Sequence, residues 1–531
     1  MRRLLTAAVA AASLWATACS PGHPAITPPP PSGNYTLASL SGQYAFISNG
    51  EVFTNGSSFP VPLVRVGSFT ADGAGHITGG VEDVNTAGSV TNAVPITGGS
   101  YTVHPDGRGV LDLAFGQNTL EFGIVLTSTS DGLMIDETST SSQASTGSGN
   151  FTKQDTASFA ISTIAGSYVF DFAGLDGDTQ SPCPCPESLI GQFTVANGVV
   201  NPGFFDDNDD GTLTSNASFT GTLSTDPLSP QEPITNSGRG IALIAGQNFV
   251  FYIVDASRVR FISTNLGMLS GDAVRQNSNF PLDVSGITGS FAFLVAGSSA
   301  NGGLTRVGRF TAGNSNLSNL LVDVNDAGNE VQFNNLSNAS ITSYDGNTGR
   351  GTLSFSNGAT TTFSFVFCLS SANDGVIQEV SGPSGTNTAI VVADGSILSQ
   401  SGSPFTSSNV TGPYAMNWSG LVTSNNFQDE EDLLAEVTLT NLNLSGTADF
   451  FQFTSSTLTP LFDLGVGGSI TIAGDGTSSA SGQQNSMTVN LSNTAPIHMA
   501  VYMVNPQLAF FANRDNNGAQ RIVAGILKAQ Q

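Results

Sequence analysis

The run Asp206-Asp207-Asn208-Asp209-Asp210-Gly211 sets side-chain oxygens at its first, third and fifth positions and glycine at its sixth. That is the spacing of the first half of a calcium loop, with Asp206, Asn208 and Asp210 as candidate ligands. The twelfth position, where a bidentate Glu would close such a loop, is Ala217. Sister segments Asp83–Gly88 and Asp323–Gly328 repeat the Asp-x-Asn-x-x-Gly pattern, so the run reads first as a turn, with a weak surface calcium site as the alternative. Asp429-Glu430-Glu431-Asp432 offers hard-cation chemistry too, against the plainer reading of a solvated loop. Arg108, Arg239 and Arg350 each stand in a Gly-Arg-Gly triplet. Guanidiniums at one repeated position suit a carboxylate or sulfated glycan held on a rim; equally, each can pair with a neighbouring acid and seal the end of a domain. The four histidines, His23, His76, His104 and His498, form no His-Glu-x-x-His pair, and there is no Gly-x-Ser-x-Gly elbow and no P-loop. The sequence therefore offers no catalytic constellation, although two carboxylates facing each other across a cleft leave no local spacing to read.

Cysteine is scarce. Cys183-Pro184-Cys185 reads as a pair of loop thiols, with a local disulfide or a soft-metal pair as alternatives, and Cys368 as a small core hydrophobe. Cys19 is different. Arg2 and Arg3 precede an apolar run from Leu4 to Trp15, followed by Ala16-Thr17-Ala18-Cys19-Ser20. This is the layout of a secretory signal peptide over residues 1–18. Its end resembles the bacterial lipobox, which implies diacylation of Cys19 as the mature N-terminus, and Ser20 resembles the outer-membrane sorting pattern. Residues 19–39, with four prolines at 28–31, then form a lipid-anchored, stiff spacer. No later segment offers about 18 unbroken apolar residues, so no membrane-spanning helix is expected.

The elements that would carry these residues repeat. Leu40-Ser41-Gly42-Gln43-Tyr44-Ala45-Phe46 returns at Ile164–Phe170, Ile287–Phe293 and, drifted, Val410–Met416, with glycines 124, 123 and 123 residues apart. Each copy closes on Gly and, five residues on, Gln: Gly149/Gln154, Gly271/Gln276, Gly395/Gln400 and Gly525/Gln530. Four β units follow, over 40–154, 164–276, 287–400 and 410–531, separated by polar joints of nine or ten residues. Short alternating runs broken by Gly-rich turns give each unit about eight strands. An all-β chain of four tandem antiparallel domains is expected, an up-and-down barrel in preference to an immunoglobulin-like sandwich, because paired first and last strands remove the exposed edge. Phe249–Ile253, Phe363–Phe367 and Met499–Val504 are apolar on both faces, so one face should fill a domain and the other pack on a neighbour.

The opening Gly-x-aromatic resembles the Gly-x-Trp start of lipocalin and avidin barrels. The whole repeat, carried by Leu40–Tyr44, Gly67–Gly75, Asp106–Gly109 and the closing Gly-to-Gln strand, resembles that of secreted lipoproteins of Acidobacteria; the resemblance implies a location and an architecture. A formal net charge of −25 argues against nucleic acid and anionic lipid as partners. The expectation is a non-enzymatic, outer-membrane-anchored lipoprotein, periplasmic or surface-exposed, acting in structure, adhesion or multivalent binding of envelope glycans or surface proteins. It needs no cofactor beyond weak calcium. A carrier of small apolar ligands in barrel cavities is the alternative, and a carboxylate-dependent hydrolase comes third; a cleft with two facing, desolvated acids would raise the last.

Overall fold

A computed structural model describes residues 27, 29, 33–54, 59–139, 143–177, 185–225, 237–277, 280–334, 336–358, 361–382, 389–424, 427–454, 457–473, 486–492, 494–515 and 521–531. The signal peptide, Cys19, most of the proline spacer and Cys183 lie outside the described residues. Each repeat folds as a closed, eight-stranded antiparallel barrel. In barrels 2 and 4 the strands run in simple up-and-down order. In barrels 1 and 3 the fourth strand is broken in two, Ser89–Ile96 with Gly98–Tyr101 and Asn329–Phe333 with Ser337–Asp345, each half pairing with the strand before it. Closure is made by the two signature strands, with Tyr44 opposite Lys153, Tyr168 opposite Arg275, Phe291 opposite Ser399 and Tyr414 opposite Ala529.

The repeated residues explain this geometry. Gly42, Gly166, Gly289 and Gly412 all take φ between +99° and +126°, a backbone shape that a Cβ would strain, so the first strand can begin only there. Two residues on, Tyr44 stacks on Phe69, Tyr168 on Phe193 and Phe291 on Phe310, at 5.5–5.7 Å. Gly67, Gly191 and Gly308 lie under Phe46, Phe170 and Phe293, where an added Cβ would come within 2.7 Å of the side-chain ring. Each barrel thus contains its own core of aromatic and aliphatic side chains.

The outward apolar faces are equally buried. In Gln247–Asp255 the side chains of Phe249, Phe251 and Ile253 fill barrel 2, while Val250, Tyr252 and Val254 pack on Val64, Val66 and Val81 of barrel 1. Comparable seams join barrels 2 and 3, barrels 3 and 4, and barrels 4 and 1. The four barrels therefore form a closed ring, not the row that a chain of repeats on a tether suggests. No helix among the described residues is long and apolar enough to cross a membrane.

Candidate functional site: the seams and the central cleft

The candidate residues singled out in the sequence meet across the seams, and they do so by one rule. In strand His76–Thr86 the alternation of side chains sends Asp83 and Asn85 outward, toward barrel 2. Asp83 receives a bidentate Arg239, with both N–O distances 2.8 Å, and the Tyr252 hydroxyl donates to it at 2.6 Å. Asn85 Nδ2 donates to the Gly267 carbonyl at 2.8 Å. One barrel further on, Asp206 holds Arg350 through two 2.6 Å bonds and Asn208 donates to the Glu379 and Val391 carbonyls. Asn325 of barrel 3 donates to the Asn513 and Arg521 carbonyls of barrel 4, and Asp323 accepts from the Tyr502 hydroxyl in place of an arginine.

Arg108 closes the cycle. It bonds Asp106 in its own barrel and Asp463 of barrel 4 at 2.8 Å. Asp463 in turn donates its N–H to Asp449, which occupies in barrel 4 the register of Asp83. The closing glutamines donate onward, as the asparagines do: Gln154, Gln276, Gln400 and Gln530 each donate to a carbonyl of the next barrel, at Ile253, Leu369, Met503 and Leu126. The residue after each glutamine donates its N–H to the same strand, at Val254, Ser370, Val504 and Thr127. The seam between barrels 4 and 1, which no linker spans, thus uses the same glutamine and main-chain bonds as the other three.

The expectations for these residues change accordingly. The guanidiniums of Arg108, Arg239 and Arg350 are engaged by carboxylates of this chain, not presented to an external anion. Of the two roles read for these arginines, pairing with an acid is the one seen: Arg108 bonds Asp106 beside it, and Arg239 and Arg350 each bond an acid of the preceding barrel. Asp206, Asn208 and Asp210 do not converge on one point: Asp206 faces Arg350, Asn208 donates protons across the seam, and Asp210 with Gly211 supplies the two positive-φ positions of the hairpin. Among the described residues no group of three or more His, Cys, Asp and Glu gathers to hold a metal. The acid run Asp429–Asp432 is no solvated loop. It lies in strand Phe427–Thr440 with Asp429, Glu431 and Asp432 no more than 3% exposed. Glu431 binds Arg521, and Asp432 accepts from Thr146 of barrel 1 at 2.8 Å.

Cys185 is disulfide-bonded, which corrects the reading of free loop thiols. Cys368 is free and buried at the seam between barrels 2 and 3, at the register that Tyr252 and Tyr502 take elsewhere. Burial, reinforced by the Asp206 charge, pushes its thiol well above the usual range. Iodoacetamide at pH 8 is therefore expected to leave Cys368 unmodified in the folded protein and to alkylate it fully in urea. Mass spectrometry of the peptide reads the difference, and rapid labelling of the native protein would show the seam to be open.

Where barrels 1, 2 and 3 meet, a polar cleft of about 530 Å³ is bordered by Asn49, Asn150, Asp171, Arg258, Asp272 and Asp394, among others. Asp171 and Asp394 lie against each other across the seam. Burial, together with the neighbouring carboxyl, raises Asp171 well above the usual carboxylate range, and burial raises Asp394 to about 6. The pair was hidden in the sequence because its members are in different repeats. The signal that could have found it is departure from the repeat: the register of Asp171 is Ile47, Leu294 and Asn417 in the other copies, and that of Asp394 is Ser148, Ser270 and Ala524.

No family model and no curated protein matches this chain. Among solved structures, a transferrin binding protein B double mutant from Haemophilus parasuis Hp5 aligns over 96% of this chain and 99% of its own at 10% identity, with a TM-score of 0.21. Intact Ap-TbpB, with N and C lobes, aligns over 75% and 83% at 11% identity and TM-score 0.20. The isotype 1 protein from serogroup B Neisseria meningitidis aligns over 76% and 85% at 10% identity and TM-score 0.17.

Proposed function

We propose that this protein is a cell-envelope lipoprotein, anchored in the outer membrane through Cys19, whose ring of barrels is a rigid structural and binding module with no catalytic role. The observation that supports this reading is how the repeated polar residues are used. Asp, Asn, Arg and Gln at the signature positions join barrel to barrel, which leaves an assembled surface as the product of the repeat. A carrier of apolar ligands would need an empty barrel, and these interiors hold phenylalanines instead, among them Phe170, Phe172, Phe249 and Phe261 in contact within barrel 2.

A hydrolase remains the second reading on one observation, the facing acids Asp171 and Asp394. They lie against each other across the seam, whereas glycoside-cleaving carboxyls stand about 5 Å or more apart with the scissile bond between them.

Labelled palmitate is expected to enter the wild-type protein and not Cys19→Ala, which should move from the membrane to the soluble fraction. Envelope glycans and surface proteins, offered with and without calcium, are expected to give saturable binding. A Cys19→Ala protein that still fractionates with the membrane would remove the anchor from this account.

A further inference from the structure

The central cleft departs from the construction of the rest of the ring. Between barrels 1 and 2 the corresponding contact is Ser270 donating to Asn49 at 2.9 Å, and between barrels 4 and 1 it is Ser148 donating to Asn417 at 2.6 Å. Between barrels 3 and 4 it is apolar, with Leu294 and Ala524 in the seam. At this register only barrels 2 and 3 bring two carboxyls together. A neutral serine–asparagine pair joins the same strands at two other seams, so this register does not require acids, and desolvating two of them costs stability. Rule-breaking of that kind in an otherwise regular repeat marks a site with another task.

The surroundings define what the site accepts. No arginine or lysine among the described residues forms an ion pair with Asp171 or Asp394; Arg258 and Arg260 both lie 3.8 Å from Asp272. Asp171 Oδ1 is enclosed and finds no donor from any group of fixed protonation. Asp374, from the strand paired with that of Asp394, also lines the cleft, with Asn49, Asn150, Ser370 and Ser396 and no aromatic side chain. Four carboxyls, Asp171, Asp272, Asp374 and Asp394, line the cleft against the single guanidinium of Arg258, and the volume suits a ligand of modest size.

We propose that this cleft binds a small hydrophilic primary amine, its ammonium seated between Asp171 and Asp394 and its remaining polar groups on the asparagines and serines. The proposal rests on the binding-module reading and specifies one of its ligands. The ammonium takes the place of the proton that the two acids share, so that binding releases about one proton to solvent. Free polyamines and the amino sugars of envelope polymers share this chemistry.

Isothermal titration of the full mature chain at pH 6 with spermidine and with glucosamine, in two buffers of different ionisation enthalpy, tests it. Saturable binding of at least one amine is expected, with a buffer-dependent heat, and glucose should bind neither tightly nor with proton release. Asp171→Asn with Asp394→Ser installs the neutral serine–asparagine pair found between barrels 4 and 1, so this variant should keep its unfolding midpoint and weaken amine binding at least tenfold. Preference for spermidine or glucosamine assigns the source. Failure of both amines to bind, equal binding of glucose, or undiminished binding to the folded double variant would overturn the proposal. Palmitate labelling and fractionation read the anchored-module account separately, so the two can fail independently.

Discussion

Arg239→Ala is expected to destabilise the seam between barrels 1 and 2 by about 3–5 kcal/mol, the largest effect of any single substitution considered. Arg239 is 2% exposed and Asp83 fully buried. Removing the guanidinium leaves a carboxylate away from water with only the Tyr252 hydroxyl and the Ala93 N–H as donors. Calorimetry should show the first unfolding transition of this multi-barrel chain falling by several degrees. Arg239→Met combined with Asp83→Leu removes both charges together and should recover most of the loss, because such a pair contributes little net stability over apolar residues of similar size. If the single variant unfolds like wild type, the pair is not closed as described. If the double variant is as weak as the single, packing rather than the stranded charge is responsible.

Raising the pH from 6 to 9 is expected to loosen the seam between barrels 4 and 1. Glu51 of barrel 1 faces the N–H of Glu430 and the carboxylate of Asp429, and burial pushes its carboxyl up to about 7. Asp432, against Thr146, Ser419, Glu431 and Glu51, is pushed up to about 8 by burial. Burial and its acidic neighbours raise Glu430 as well. Arg521 is held by Glu431. The folded seam thus keeps protons that the unfolded chain releases near pH 4. Stability is complete below that pH and is lost as the pH climbs through 7 and 8, with about 1 kcal/mol of the loss from Glu51 alone falling between pH 6 and 9. Thermal midpoints should decline over that range in wild type. The decline should flatten in Glu51→Gln with Asp432→Asn, which keep the shape and remove the charge. A profile that rises with pH, or one the double variant leaves unchanged, would contradict the seam's protonation.

The barrel was readable because its determinants are local and periodic. Gly42 and its three counterparts demand a left-handed backbone at each start, alternation sets the faces, and the closing glycine-to-glutamine strand supplies the partner edge. The two-faced apolar strands even pointed to barrel-on-barrel packing. The ring was not readable in the same way. Arg239 meets an acid 156 residues away and Gln530 a carbonyl 404 residues away, and nothing in local spacing selects such partners. A trace existed: three arginines and three Asp-x-Asn runs recur at the same period, so an Asp of one copy facing the Arg of the next was available as a pairing rule. The acid run at 429–432 misled for a related reason. Four consecutive charges read as solvated, and only the arrival of barrel 1 with Glu51 and Thr146 buries them. Asp171 and Asp394 stood out from the repeat, yet the cleft that unites them exists only once three barrels have met.

Everything beyond the single barrel depends on the fourth seam, where Gln530 and Gln531 reach back to barrel 1 without a linker to hold them. Small-angle X-ray scattering of the mature chain at pH 6 tests that seam most directly. A closed ring predicts a radius of gyration of about 24 Å for the folded portion, the value of one compact body of this length. A radius half as large again, with the elongated distance distribution of barrels in a row, would contradict it.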